Sequence, residues 1–183
     1  VTGDHQKFGD HPAARNVYDL DSMNLINMLK NMRDEGIFHN GDFIRNRSKS
    51  AIVPPEVFIG AAANPFGSPR HFRPFRLAKK IAAGADFVQT QPVYDLQVFK
   101  EWLQKVGDMG LTEKIYIMAG ITPVKTLRAL HYMRDNVPGM HIPDDVIKRM
   151  KSAEDPEQEG FEMARETMSE IKNLPGIHGV HLM

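Results

Sequence analysis

Apolar positions along this chain keep switching between two rhythms. Leu25, Met28, Leu29 and Met32 recur at helical spacing behind Asp21, which is placed to cap a helix, and Gly36 supplies a stop. Residues 57–63 are a compact apolar run and predict a strand. The helical period returns over 71–83, regular from Pro74 onward, with Phe75, Ala78, Ile81 and Ala82 on one face and Gly84 closing it. A strand follows over 87–91, then a helix opened by Asp95 that turns Phe99, Trp102, Leu103 and Val106 inward. Residues 114–119 read as a further strand. Thr122-Pro123 reads as an N-cap followed by proline at the first helical position, ahead of Val124, Leu127, Leu130 and Met133 at core spacing. A short extra helix is expected over 143–151, and Phe161, Ala164, Met168 and Ile171 mark a last helix. Residues 178–183 form a final strand, and Val1-Thr2-Gly3-Asp4 reads as the end of one whose beginning is missing.

Strands that alternate with helices predict a parallel sheet. Five strands are expected, near residues 1, 57, 87, 114 and 178. A closed (β/α)8 TIM barrel takes about 250 residues. The expected fold is therefore α/β: a single domain over 1–183, an incomplete barrel holding about the last five strands, with the N-terminal strands missing. An open doubly wound sheet is the alternative, but no Gly-x-Gly-x-x-Gly turn follows any strand.

Bulk composition narrows the function. Lys plus Arg and Asp plus Glu number 23 each, so no global basic field points to nucleic acid or an anionic membrane. Cysteine is absent, which removes disulfides, thiolate zinc sites and a cysteine nucleophile. No apolar run reaches the ~20 residues of a membrane helix. The start lacks a signal-peptide pattern, so a cytoplasmic location is expected. The 36–55 stretch is polar, carries Arg45, Arg47 and Lys49, and reads as a mobile surface loop.

Candidate chemistry gathers at the carboxyl ends of the strands, where parallel α/β folds place their ligands. Asp4 follows Gly3 there, either as a carboxylate aimed at a ligand or as a turn aspartate. Gln89 and Gln91 share a parity in their strand, which is unusual for a strand buried on both faces. Either they bind something polar or they bond each other and a water. An amide both donates and accepts, which suits a heteroaromatic ring. Arg73, Arg76, Lys79 and Lys80 cluster on one helix and could hold a phosphate; a solvated face is the plainer reading. None of the eight histidines pairs at the i, i+4 spacing of a helical metal site, and His178 and His181 face opposite ways on a strand, so no metal site is read.

Taken together, Thr2-Gly3-Asp4-His5, Ala61-Ala62-Ala63-Asn64-Pro65, the block 79–95 and Ala119-Gly120-Ile121-Thr122-Pro123-Val124 resemble methylenetetrahydrofolate reductase, in order along essentially the whole chain. The resemblance implies a flavin-dependent barrel that reduces 5,10-methylenetetrahydrofolate to 5-methyltetrahydrofolate, in one-carbon metabolism and methionine biosynthesis. It implies FAD, with FMN as the alternative, and NAD(P)H or another electron donor.

By position, Thr2, Gly3 and Asp4 match the end of the family's fourth strand, where the aspartate lies between flavin and pterin. Asp4 is the implied catalytic residue, since its carboxylate would stabilise the cationic methylene-iminium that accepts hydride. Tyr18 and Asp19 match a segment lining the adenosine side of the cofactor. Lys80 matches a lysine that reaches the flavin's phosphate region, and Gln91 a glutamine that hydrogen-bonds the folate. The common Tyr-Pro-x-x-His pattern is here Asn64-Pro65-Phe66-Gly67-Ser68, with Asn64 and Ser68 at the two flavin-contact positions. This variant resembles a branch of the family in anaerobes, whose reductase works with a second subunit. The family's general-acid glutamate belongs to the first strand region, outside this sequence. A non-catalytic barrel subunit of a folate or flavin complex is the alternative function. A Schiff-base lyase using Lys80 or Lys114 ranks below both.

Overall fold

The computed structural model of the chain describes residues 11, 13–17, 19–44 and 53–183. Thr2, Gly3, Asp4 and Tyr18, and the strand expected at Val1, lie outside the described residues. Helix α1 (Ser22–Asp34) starts where Asp21 caps it. The Asp21 carboxylate accepts from the backbone N–H groups of Met23 and Asn24, and Asn24 reaches back to the Asp21 N–H, so two orphan donors of the first turn are satisfied reciprocally. After it come β1 (Gly60–Ala63), a 3₁₀ turn (Arg70–Phe72) running into α2 (Arg73–Ala83), β2 (Phe87–Pro92), α3 (Leu96–Asp108) and β3 (Tyr116–Ile121). Helices α4 (Leu127–Asn136), α5 (Asp144–Ser152) and α6 (Pro156–Lys172) then lead to β4 (Gly179–Leu182).

The four strands form one sheet in the order β1-β2-β3-β4, every pair parallel. Consecutive parallel neighbours joined by helices are what strand–helix alternation predicts. Val88, Ile117, Ala119 and Val180 face the helices and pack with Leu77, Phe99, Trp102, Val106 and Ile171 in the main core. Phe99, Val106, Ile117 and Ile171 are fully buried, and truncating a ring such as Phe99 to alanine costs about 3–5 kcal/mol. On the opposite face the residues of other parity, Phe87, Tyr116, Met118 and His181 among them, stay half-buried or exposed. A second apolar cluster joins Val124, Leu130, Ile142, Ile147 and Met150 beside α4 and α5.

Three local expectations shift. The strand expected over 57–63 keeps ladder pairing only from Gly60, because the stretch before it is held by side chains. The Asp86 carboxylate accepts from the Ile59 N–H at 2.7 Å and from Arg33 at 2.6 Å, while Arg33 also donates to the Val57 carbonyl at 3.2 Å. Helix α4 starts later than Thr122-Pro123 suggests: Thr126 is the N-cap, its hydroxyl accepting from the Ala129 N–H at 3.1 Å. Finally, the described part of the 36–55 stretch is not featureless. Ile37 and Phe43 form an antiparallel bridge around a tight turn at Gly41.

Candidate functional site

The carboxyl ends of β1 and β2 are shaped by two sequence features. Strand β2 carries a register shift between Gln89 and Pro92. Pro92 has no N–H to give the ladder, and across the shift the buried Thr90 hydroxyl serves as the acceptor that a backbone carbonyl would otherwise provide: it accepts from the Gly120 N–H at 3.0 Å and donates to the Gln91 carbonyl at 2.9 Å. Beyond β1, Asn64 folds the following loop. Its side-chain oxygen accepts from the N–H groups of Phe66 and Gly67, both at 3.0 Å, and its amide donates to the Gly139 carbonyl at 3.3 Å. Arg73 closes the same loop, donating to the Gly67 and Ser68 carbonyls at 2.6 Å each.

Between these pieces lies a cavity of about 180 Å³ lined by Asn64, Arg73, Arg76, Lys80, Gln91 and Trp102 with nearby alanines. The Gln91 amide makes no hydrogen bond among the described residues, and neither does that of Gln89. The two glutamines do not bond each other. The register shift separates them, and they line different cavities: Gln89 borders a second one, about 360 Å³, between α1 and the outer edge of β1. Lys80 borders both. Its ammonium donates to the Ala62 carbonyl. Burial depresses the Lys80 pKa from its ordinary value, as does the charge of Arg76, against the opposing pull of Asp21. Burial likewise lowers Arg73, with Arg76 adding to it. The rim cavity is thus walled by three cations, with no carboxylate among its lining residues.

Of the residues singled out in the sequence, Asn64, Lys80 and Gln91 come together in this cavity. Asp19 is exposed, two residues before Asp21, whose charge acts on Lys80. Ser68 is exposed on the loop that Arg73 holds.

No motif or periodicity marks the segment that straps this rim. The connection between α4 and α5 brings Gly139 to Asn64 and His141 to Asp95. His141 Nε2 lies 2.9 Å from the Asp95 carboxylate and 3.3 Å from Arg70, and its ring stacks on Phe66 at 6.2 Å. Asp95 meanwhile caps α3 through the Val98 N–H at 2.9 Å. Tyr94 donates to the Thr122 carbonyl at 3.0 Å, and burial drives its phenol well above the ordinary value. Among the described residues, the buried side-chain polar atoms left without a partner are Thr122 Oγ1 and His181 Nδ1. Both lie at the carboxyl ends of neighbouring strands.

Parallel strands, outer helices and a cationic, amide-lined rim define an α/β protein with a candidate ligand site at the strand ends. The family model of methylenetetrahydrofolate reductase matches residues 1–183, so the chain belongs to the methylenetetrahydrofolate reductase family. Among solved structures it is similar to an uncharacterized protein from Clostridium thermocellum that binds two copies of 5-methyl-5,6,7,8-tetrahydrofolic acid. The TM-score is 0.58 and the identity 19%, covering 71% of this chain and 48% of that one. The chain therefore spans about half the length of that neighbour, and the likeness speaks for the fold. No curated protein matches. No helix among the described residues is long and apolar enough to cross a membrane.

Proposed function

We propose that the chain is the later part of a (β/α)8 barrel that reduces 5,10-methylenetetrahydrofolate to 5-methyltetrahydrofolate with the help of a bound flavin, in one-carbon metabolism and methionine biosynthesis. The observation that carries this reading is the rim cavity, in which an uncommitted Gln91 amide stands beside Lys80 and Arg76. The folate-binding neighbour adds a ligand of the right class on a similar fold. Further barrel strands would extend the sheet from the outer edge of β1, where Lys80 now occupies the Ala62 carbonyl.

The residues present suit a flavin. Cations without carboxylate partners fit a phosphate, by charge and by directed hydrogen bonds. Lys80 would hold that phosphate, with Asp19 and Tyr18 towards the nucleotide end of FAD; FMN, which lacks the adenosine, would leave these two unused. Thr2, Gly3 and Asp4, by the family resemblance, would contact the flavin from a further strand end. The flavin, once bound, supplies the hydride. Gln91 donates to and accepts from the pterin edge and fixes its orientation. The Asp4 carboxylate stabilises the cationic carbon that receives the hydride. NAD(P)H or another donor provides the electrons, by way of a second subunit in the anaerobe-like arrangement. The setting is cytoplasmic.

One observation favours a second reading. The Asn64 side-chain oxygen and one of its amide N–H groups are committed to holding its own loop and Gly139, which leaves it a single N–H for a flavin. A barrel subunit that binds folate without flavin would look like this. Purifying the whole protein separates the two. Bound flavin absorbance with turnover of methylenetetrahydrofolate is the expected result. A colourless protein that binds folate but does not reduce it overturns the reductase reading in favour of the second.

A further inference from the structure

Like charges held together without a counter-ion repel, and a ligand of opposite charge relieves that repulsion. Helix α2 brings Arg73, Arg76 and Lys80 to the rim cavity, and no carboxylate lines it. Their charged ends are near enough to act on one another. Burial lowers the pKa of both Arg73 and Lys80, and the charge of Arg76 lowers each further. The opposing charge on Lys80 is that of Asp21, which lies outside the cavity and caps α1. Five cations and no Asp or Glu stand between Asn64 and Ala85, so the segment that shapes the cavity supplies no neutralising group. Arg73 is seated with care. Its Nε and Nη2 donate to the Gly67 and Ser68 carbonyls, and its guanidinium lies against the bare Cα of Gly67. A Cβ on Gly67 would overlap Nη2 and stand 2.6 Å from Cζ. Nη1 makes no hydrogen bond among the described residues. The cavity, about 180 Å³, is below the ~300–1,000 Å³ that enclose a whole drug-sized ligand, so it takes one end of a larger molecule.

We propose that the rim selects a flavin ending in a phosphate monoester, the mononucleotide, over the dinucleotide, that Arg73 and Arg76 make the choice alongside Lys80, and that Gly67 is the positioning residue that seats Arg73. A phosphate monoester concentrates about −1.5 to −2 charges and three acceptor oxygens at one point, which matches cations converging from one helix. Each phosphorus of a pyrophosphate bridge carries a single charge, and its chain must run on to a second ribose. Dinucleotide folds commonly hold that ribose by a carboxylate on its hydroxyls. No carboxylate lines the cavity, and Asp19 is exposed outside it. Arg73 keeps both carbonyl bonds and offers Nη1 to the phosphate. An ammonium has three donors, so Lys80 keeps the Ala62 carbonyl and still reaches the same group. This inference rests on the flavin-binding reading of the site.

The test uses the whole protein. Its bound flavin is released and identified by chromatography, and the flavin-free protein is titrated with FMN, FAD and riboflavin, followed by flavin fluorescence. FMN is the expected flavin, bound roughly tenfold or more tighter than either FAD or riboflavin, as charge-assisted hydrogen bonds to the phosphate imply. Arg76→Met removes a cation and breaks no internal bond. Gly67→Ala pushes the Arg73 guanidinium off its seat without deleting its charge, and the clash falls on the end of a flexible side chain, so Tm should hold. Both variants are expected to weaken FMN while leaving riboflavin unchanged. FAD in the purified protein, or FAD bound as tightly as FMN, overturns the proposal and leaves the flavin reading standing. So does an unchanged FMN affinity in both variants, or a loss for FMN that riboflavin shares in full, which would mean that these residues only hold the loop. If none of the three flavins binds, the flavin reading itself fails, and this proposal with it.

Discussion

Replacing Gln91 by leucine should separate binding from stability. Most substitutions near a strand end disturb both. Here the amide has no partner among the described residues, so its loss deletes no internal hydrogen bond, and leucine keeps nearly the same volume. Folding free energy should therefore move by no more than about 0.5 kcal/mol, as for a side chain outside any network. Bound folate, by contrast, would lose the donor and acceptor that face its ring and keep polar groups stranded against leucine. A stranded group costs about 1–3 kcal/mol. That corresponds to a roughly 5- to 150-fold rise in Kd at about 1.4 kcal/mol per decade. The assay pairs urea unfolding of the free protein with calorimetric titration of 5-methyltetrahydrofolate. A drop in stability above about 1 kcal/mol with unchanged Kd would show that Gln91 supports the strand end and binds nothing.

The remaining expectations concern the frame around the site. Asp86→Ala strands the Ile59 N–H, a group of a 3% exposed residue, and frees Arg33. Discounted for the partial exposure of the pair, this should cost about 2–4 kcal/mol in denaturant unfolding, and Arg33→Ala on top of it should add much less than it costs alone. Gly139 sits at φ 81°, where a Cβ would collide with the Asn64 amide, so Gly139→Ala should destabilise by at least about 1 kcal/mol and raise hydrogen exchange at the Phe66 and Gly67 amides. If exchange there is unaltered, the strap does not hold the loop. In the complete enzyme, Asp4→Asn should slow hydride transfer to folate by about 2–4 kcal/mol of barrier and leave flavin reduction by the donor less affected, read by stopped flow on each half-reaction. Equal slowing of both would make Asp4 structural.

The architecture was legible because its signals are local. Asp21 and Asp95 cap the helices they were expected to cap, and Gly84 ends α2 in the left-handed conformation at φ 114° that glycine permits. Thr122-Pro123 misled because the proline fits a helix start while tertiary contacts demand an extended chain. Val124 is drawn into the second apolar cluster, the Thr122 carbonyl is taken by Tyr94, and Thr126 is left to cap. At the site, Lys80 and Gln91 stood out through family motifs, and the cavity they share confirms only their proximity. What the sequence concealed depends on long-range pairing. Gly139 meets Asn64 across 75 residues and His141 meets Asp95 across 46, and no periodicity encodes such contacts. A shared parity for Gln89 and Gln91 presupposes an unbroken ladder, and the shift before Pro92 breaks it.

That shift gives β2 something like a reading frame. A strand is read in twos, and one extra residue changes the phase of everything after it. Up to Gln89 the partners of β2 run in step with β3, and afterwards Pro92, not Gln91, stands opposite Gly120. Deleting Thr90 would restore a continuous ladder, with the proline still opposite Gly120 and the glutamine opposite Ala119. Thr90 guards the phase, since its hydroxyl bonds the Gly120 N–H across the gap. The chemical identity of this rim is thus written twice, once in which residues are present and once in a count of one between them.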